Sequence, residues 1–271
     1  MKSEKIRKIL KKDDTATVQN NTICFLPGSR LPQQTAGSGI LGRVQDLLKH
    51  HGKLYYFLLD VFKPIFMDAF SKRKIRNILK QYDHSDTILN LGSGPNYYMG
   101  RKDIINIDIF AFDEVDIVAD AENLPIENNS IDFLINIAML EHVKKPESVV
   151  KEIYRIIKPG GKILCYLPFI QPFHAAPNDF QRWTVEGIKT LFSSFNKIEV
   201  FIGAGPTSGM LWILQEWLAI LLSFGSKTLH DVVFLTIMVI TTPIKVLDLL
   251  IARLPYAEKV ASGFYVVGEK E

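Results

Sequence analysis

At 271 residues the chain is long enough for one well-formed core and one appendage. Its formal net charge is +3, which is close to balance, so charge gives no indication of a nucleic-acid partner. Its two cysteines, Cys24 and Cys165, lack metal-ligand spacing, and nothing argues for a disulfide. A reducing cytoplasm is therefore the expected compartment, and the sequence predicts no metal site.

Residues 1–74 are predicted to form an irregular and helical cover. The basic start, MKSEKIRKILKK, lacks the apolar core of a secretory signal and is either a frayed end or a short helix touching anionic lipid. Residues 13–42 are rich in Thr, Asn, Pro, Gly and Ser, which predicts irregular structure. From Leu47 to Leu79 apolar residues recur at helical spacing, which predicts helices broken near Pro64 that pack on a sheet, cover a site, or do both.

The stretch ILNLGSGPN at 88–96 predicts a strand that ends in the turn Gly92-Ser93-Gly94, then a helix, then a second strand, IINID, ending at Asp108. This arrangement is typical of a nucleotide pocket at the carboxyl end of a parallel sheet. Glycines allow the backbone to turn tightly beside a ligand, and a carboxylate can accept two hydrogen bonds from a ribose diol. Tyr97 stands where a dinucleotide fingerprint needs its third glycine, and no P-loop lysine follows.

Strands and helices alternate along the rest of the core. Pro146 opens a helix that Pro159-Gly160-Gly161 stops, and a second helix is expected at about 184–194. The strands are expected near 87–91, 104–108, 115–118, 131–137 and 162–167, followed by KIEVFIG at 197–203 and ASGFYVVGEK at 261–270.

Together with DIVADAENLPIENNSIDFLINIAMLEHV and KPGGKILCYLPF, these motifs resemble the class I S-adenosylmethionine-dependent methyltransferases, in particular the small-molecule type 11-like branch. The resemblance covers roughly residues 75–203 and 260–268. It implies an α/β, Rossmann-like sheet of seven strands, mostly parallel with the last strand antiparallel, and helices on both faces. The methyltransferase domain would span residues 75–271, and its cofactor would be S-adenosyl-L-methionine.

The resemblance also implies roles for individual residues. Asp108 would hold the ribose hydroxyls, and Asp120 and Ala121 would lie beside the adenine. The whole implied cofactor set is Asn90, Gly92, Ser93, Gly94, Asp108, Asp120, Ala121, Asn136, Ile137 and His142. Asn90 departs from the family's usual acid, because an amide can bind the methionine ammonium but cannot offset its charge. Plain structural roles stay open: a tight turn for the glycines, a cap for Asp108, a loop acid at Asp120 and a structural His142.

The loop LPFIQPFHAAPNDFQRWT at 167–184 leaves the carboxyl end of the sheet and is long enough to suggest a function. His174 is the candidate general base, Asp179 could orient it, and Arg182 could hold an acidic acceptor group. Alternatively, Asp179 and Arg182 pair with each other and shape the loop. The pattern resembles methyltransferases encoded with bacterial surface-polysaccharide and lipid-linked glycan pathways.

Residues 207–257 form an apolar insertion before the last strand. Gln215 and Glu216 interrupt its first apolar run, and both flanking strands belong to one sheet, so the chain must return to the side it left. These constraints favour a helical hairpin that lies in the membrane interface. Trp212 and Trp217 suit that position, because tryptophan is enriched at the membrane–water interface. The alternative is an extra helical layer or a dimer face.

The expected function is methyl transfer to a small-molecule or lipid-linked acceptor, with O-methylation of a membrane-associated glycan intermediate as the first hypothesis. Methylation of a quinone or isoprenoid-like lipid and a non-catalytic, cofactor-binding scaffold are the alternatives. We expect peripheral or monotopic association with the inner face of the cell membrane and no nucleic-acid partner. The sequence does not specify the oligomeric state.

Overall fold

The computed structural model describes residues 2–11, 16–19, 22–26, 69–174 and 178–271. These residues build one twisted sheet of nine strands in the order β1-β2-β5-β4-β3-β6-β7-β9-β8. The strands are β1 Thr17–Gln19, β2 Thr22–Cys24, β3 Ile88–Leu91, β4 Ile105–Asp108, β5 Ile117–Val118, β6 Ile131–Ile137, β7 Ile157–Pro168, β8 Asn196–Ala204 and β9 Gly263–Glu269.

Strands β2 to β7 pair in parallel, whereas β1–β2, β7–β9 and β9–β8 are antiparallel. The expected Rossmann-like sheet with an antiparallel last strand is therefore confirmed. From β3 the chain builds outward through β4 and β5 on one side, and then through β6 and β7 on the other. The crevice where this order reverses, at the carboxyl ends of β3 and β6, is the place where such sheets bind ligands.

Helices cover the sheet through apolar faces that the sequence pattern indicated. They are α1 Lys2–Ile9, α2 Ala69–Leu79, α3 Pro146–Ile156 and α4 Val185–Leu191. Helix α3 begins at Pro146, whose missing N–H is harmless in a first turn, and buries Val149, Val150 and Ile153 among its core residues. Helix α2 agrees with the end of the helical region predicted at Leu47–Leu79, but residues 47–68 and the break near Pro64 lie outside the described residues.

Three expectations about local structure were wrong. The strands β1 and β2 fall within residues 13–42, which were expected to be irregular, and they raise the strand count of the described sheet above seven. Ile23 and Cys24 of β2 pair with β5, and Thr22 Oγ1 donates to the Val115 carbonyl at 3.0 Å. The β-branched Thr22 and Ile23 beside an open parallel edge outweigh the turn-rich composition around them.

The basic N-terminus is an ordered helix, and Ile6 and Ile9 on α1 are buried in the main core. Its apolar side therefore faces the protein rather than lipid. Between β3 and β4 the predicted helix is replaced by one 3₁₀ turn at Tyr98–Gly100, in which Met99 and Gly100 both have positive φ. Pro95 and this left-handed turn leave too few residues for an α-helix.

The apolar insertion is a helical hairpin formed by α5, Pro206–Ser223, and α6, Lys227–Thr241, which turns at Phe224-Gly225. A 3₁₀ segment, Thr242–Leu247, and α7, Asp248–Ile251, return the chain towards β9. Gln215 does not interrupt an apolar face, because it is fully buried and donates to Thr241 Oγ1 at 2.7 Å across the hairpin. By length and composition alone, the helical stretch Lys227–Ile251 could cross a membrane, and 11% of its most apolar window is buried in the protein.

Candidate active site

A cavity of about 390 Å³ opens at the carboxyl ends of β3, β4 and β6, in the crevice where the strand order reverses. Main-chain turns and apolar side chains form most of its wall, and two carboxylates and one imidazole reach it. The lining residues are Leu91, Gly92, Gly94, Asp108, Ile109, Phe110, Phe112, Ala119, Asp120, Ala121, Ala138, Met139, His142, Val143 and Asn178.

The glycine turn forms the floor of this cavity. Gly92 and Gly94 have φ values of +71° and +56°, a region that glycine occupies without the cost of a Cβ atom. The N–H groups of Gly92 and Ser93 donate to the Ile107 carbonyl at 2.8 and 3.1 Å, which holds the turn against β4. A Cβ atom on Gly92 would lie 2.5 Å from Met139 Cγ, so any other residue there would crowd the wall.

Asp108 ends β4 and is held rigidly at the cavity by two backbone amides. Its Oδ2 accepts from the Gly94 N–H at 2.8 Å, and its Oδ1 accepts from the Phe110 N–H at 2.9 Å. The residue is 9% exposed, and each carboxylate oxygen keeps a further lone pair. The fixed carboxylate can therefore accept hydrogen bonds from two neighbouring hydroxyl groups.

Of the residues predicted to bind cofactor, Gly92, Gly94, Asp108, Asp120, Ala121 and His142 line the cavity. Asn90 and Asn136 lie beneath it: Asn90 Nδ2 donates to Asn106 Oδ1 at 3.2 Å, and Asn136 Nδ2 donates to the Leu91 carbonyl at 2.9 Å. Ser93 and Ile137 also lie outside the lining. The roles of these ten residues in cofactor binding stay predictions.

Aromatic residues on the wall were missed by the sequence reasoning. Phe110 and Phe112 lie two and four residues after Asp108, and their ring centroids lie 5.9 Å apart. The sequence feature that could have indicated them is the apolar stretch after the acid at the end of β4. An adenine ring bound there needs an apolar surface on which to stack.

Beside the cavity, Glu141 comes together with His142 and His174. The 3₁₀ turn Leu140–His142 places Glu141 inside the protein with no exposed surface, and neither carboxylate oxygen has a hydrogen-bond partner among the described residues. Glu141 Oε1 lies 4.0 Å from His142 Nε2 and 3.9 Å from His174 Nε2. The two imidazole rings meet edge to face, with centroids 5.5 Å apart. The sequence analysis placed His142 in the cofactor set and assigned no role to Glu141.

Asp179 and Arg182 pair with each other and shape the loop that carries His174. Arg182 Nη2 donates to Asp179 Oδ2 at 2.6 Å, Nη1 donates to the other carboxylate oxygen, and the guanidinium also binds the Pro172 and Gln181 carbonyls at 2.8 Å. Arg182 lowers the pKa of Asp179 to about 2. Asp179 Oδ2 also accepts from the His174 backbone N–H at 2.7 Å, so the carboxylate positions His174 through its main chain.

His174 therefore lies on a loop that is fixed by a charged pair and faces the buried Glu141. Burial lowers the pKa of His174, but Glu141, the Pro172 carbonyl and Asp179 together outweigh this effect and raise it. His174 also packs against Trp212 of α5, with ring centroids 5.3 Å apart. The predicted roles of His174 as base and of Arg182 as holder of an acidic group stay predictions.

Comparison with known proteins finds local similarity to methyltransferases. A family model described as a methyltransferase domain matches residues 101–165. Ubiquinone/menaquinone biosynthesis C-methyltransferase UbiE of Escherichia fergusonii is 33% identical over 81 residues, which are 29% of this chain and 32% of that protein. A tRNA (carboxymethyluridine(34)-5-O)-methyltransferase of Arabidopsis thaliana is 28% identical over 148 residues, which are 48% of this chain and 36% of that protein. The chain thus spans about a third of the length of the curated relatives it matches.

Among solved structures, phosphoethanolamine N-methyltransferase 2 of Haemonchus contortus, in complex with S-adenosyl-L-methionine, aligns with 83% of this chain and 59% of that chain. The sequence identity is 17% and the TM-score is 0.46. The sheet order, the glycine turn and the match to a methyltransferase domain over residues 101–165 make the chain similar to the class I S-adenosylmethionine-dependent methyltransferases.

The cofactor of this class, S-adenosylmethionine, fits the residues that are present. Asp108 offers fixed acceptors for the ribose hydroxyls, and the Phe110 and Phe112 rings offer an apolar wall for the adenine. Gly92 and Gly94 leave room for a ligand to approach the main chain closely. The buried Asn136 Oδ1 has no hydrogen-bond partner among the described residues and lies under the same turn.

Proposed function

We propose that the protein transfers the methyl group of S-adenosylmethionine to an oxygen of a lipid-linked acceptor, a glycan intermediate being the first candidate, at the inner face of a membrane. One observation carries this proposal. His142 lines the cofactor cavity and also meets His174 and Glu141, so groups that can take a proton adjoin the place where a sulfonium methyl would sit.

Methyl transfer needs an acceptor oxygen in line with the carbon–sulfur bond and a route for the oxygen's proton. Alignment of two reactants can supply about 7–11 kcal/mol of the barrier reduction, and a positioned base adds about 10²–10⁴-fold. The pair of Asp179 and Arg182 would support such alignment by fixing the position of His174, whose backbone N–H donates to Asp179. The acceptor would enter beside Asn178, a residue of this loop that reaches the cofactor cavity.

The apolar surface around the loop supports a lipid-linked acceptor. Phe173 and Phe180 on the loop are 74% and 47% exposed, whereas Trp183 belongs to the core. The helical hairpin carries a further exposed apolar surface, which we call the ridge, made of Met210, Ile213, Trp217, Ile220 and Phe224. Exposed apolar surface of this extent favours contact with a membrane or another protein over contact with water.

Activity is tested with purified protein, methyl-labelled S-adenosylmethionine and membranes from cells that make lipid-linked glycans. We expect label in the organic-extractable fraction, which then moves to the aqueous phase after mild acid releases the glycan. Label that stays in the lipid after acid treatment would favour methylation of a quinone or isoprenoid-like lipid, the second candidate. That candidate is favoured by the local similarity to UbiE, whose name describes quinone biosynthesis.

Membrane association is tested separately by co-sedimentation with vesicles of phosphatidylcholine and phosphatidylglycerol. The variant Ile220→Ser on the ridge should reduce the bound fraction. Val18→Ser is the matched control, because Val18 is 71% exposed on β1 at the opposite edge of the sheet. Equal binding by both variants would refute a role for the ridge.

Cofactor binding without transfer to any membrane extract would instead support the scaffold alternative. The amide at Asn90 favours that alternative, since it cannot offset the charge of the methionine ammonium. An Asn90→Asp variant distinguishes the two cases: tighter cofactor binding with no gain in transfer is the result that a scaffold predicts.

A further inference from the structure

We propose that Glu141, His142 and His174 form a site for one divalent transition-metal ion of the zinc type. Their ligand atoms all lie within 4.8 Å of one another. Metal binding itself is independent of the activity proposed above, whereas the role of the ion rests on that proposed function. The candidate set is a carboxylate and two imidazoles, a combination that catalytic zinc and non-haem iron sites use.

The hydrogen bonds of both rings leave the inward-facing nitrogens free to bind a metal. His142 Nδ1 lies 2.5 Å from the Asn178 carbonyl, and His174 Nδ1 lies 3.0 Å from the Pro172 carbonyl. A carbonyl only accepts, so each Nδ1 carries the hydrogen and each Nε2 of a neutral ring presents its lone pair. A backbone carbonyl behind a histidine is also the arrangement that fixes the ring of a metal ligand.

Arg182 does not change this assignment. Its Nη2 lies 3.2 Å from His174 Nδ1, but the same nitrogen donates to Asp179 and to the Pro172 carbonyl. The hydrogen on Nδ1 and the guanidinium therefore share the Pro172 carbonyl, and the opposite nitrogen of His174 still faces Glu141.

The carboxylate of Glu141 supplies the second, independent observation. It is completely buried, and neither oxygen has a hydrogen-bond partner among the described residues. A buried carboxylate normally has donors or a counter-ion, because burial without them is costly. The two imidazole nitrogens that face Glu141 lie 4.0 and 3.9 Å away, which is too far for a hydrogen bond. A cation at their common centre satisfies all three ligand atoms at once.

The distances require only a small adjustment. Tetrahedral zinc with bonds of about 2.0–2.2 Å places its ligand atoms about 3.4 Å apart. The carboxylate–imidazole distances here are 3.9 and 4.0 Å, so each side chain must move inward by about half an ångström or less. The side chains of His142 and His174 are 14% and 28% exposed, which leaves an open side for water or an acceptor oxygen.

In the proposed reaction the ion would bind the acceptor hydroxyl and lower its pKa, and His174 would then be a ligand rather than the base. The hydroxyl proton passes to solvent water. The acceptor oxygen would form its bond to the methyl carbon as the carbon–sulfur bond breaks, and the electron pair of that bond would stay on sulfur, leaving a neutral thioether.

The test uses the full chain, stripped with EDTA and titrated with ZnCl₂ by calorimetry, with metal content measured after dialysis. We expect one equivalent per chain. Glu141→Gln and His174→Ala should weaken zinc binding by at least about 10–100-fold, since even outer-shell changes cost that much. His84→Ala is the matched control, because His84 is an exposed histidine 3.4 Å from the carboxylate of Asp103.

Thermal melts and cofactor titrations of each variant establish that it is folded. Zinc binding that is unchanged in folded Glu141→Gln, or absent from the unmodified chain, would overturn the site. Zinc binding without methyl transfer would refute the proposed function and leave the site standing. Full methyl transfer by a chain that binds no zinc would refute the metal site and leave the proposed function standing.

Discussion

Replacing Asp108 with alanine tests the assignment of the cavity most directly. The carboxylate is fixed by the Gly94 and Phe110 amides, so cofactor binding does not have to order this side chain. The variant removes two charge-assisted acceptors for the ribose, each worth about 1.5–3 kcal/mol. We therefore expect a loss of about 3–6 kcal/mol in binding free energy, which is about 10²–10⁴-fold in the Kd for S-adenosylmethionine.

Calorimetric titration with S-adenosylmethionine measures this loss, and a thermal melt separates it from unfolding. Asp113→Ala is the control, because Asp113 is an exposed acid in the loop that follows β4. Its Kd should stay within about threefold of the unmodified protein, a difference below about 0.7 kcal/mol. If Asp108→Ala lowers only the melting temperature and leaves the Kd unchanged, then Asp108 is a structural cap and the ribose assignment is refuted.

Three further predictions concern the surroundings of the site. Gly92→Ala should weaken cofactor binding because the new methyl group displaces Met139, whereas Gly100→Ala has similar backbone strain with open space around it and should leave the Kd unchanged. Asp179→Ala should abolish methyl transfer and make the loop sensitive to protease while cofactor affinity persists; intact activity would show that the pairing with Arg182 is dispensable. Asp248→Ala removes a buried carboxylate that accepts from two backbone amides at the start of α5. Denaturant unfolding should therefore show a loss of about 3 kcal/mol in the free energy of unfolding. A loss below about 1 kcal/mol would contradict this reasoning.

The core of the fold was predictable because its strands are buried on both faces. Runs such as ILNL and IDFLINI carry that burial in their composition, and the observed β3 and β6 match the expected limits closely. The edge strands β1 and β2 were not predictable in this way. Each has three residues, and they form only because β5 offers an unpaired parallel edge, which is a tertiary fact.

The candidate site also has one part that the sequence predicted and one part that it did not. The glycine turn and Asp108 are local motifs, so their place at the cavity followed from sequence spacing. The burial of Glu141 did not, because a charged residue is normally expected at the surface and only the packed structure reveals the exception. The pairing of Asp179 with Arg182 stood as one of two alternatives, since spacing alone cannot tell a structural ion pair from a substrate contact.

The contact between the hairpin and the site has a consequence for how this protein could diversify. Trp212 packs against His174, and Gly209 lies so close to the Ile170 carbonyl that an added Cβ atom would approach it to 2.7 Å. The hairpin is therefore not an exchangeable module. Substitutions in α5 that adapted the hairpin to a different cellular surface would also disturb the reaction centre beside it. Cellular location and catalytic chemistry are therefore expected to change together or not at all.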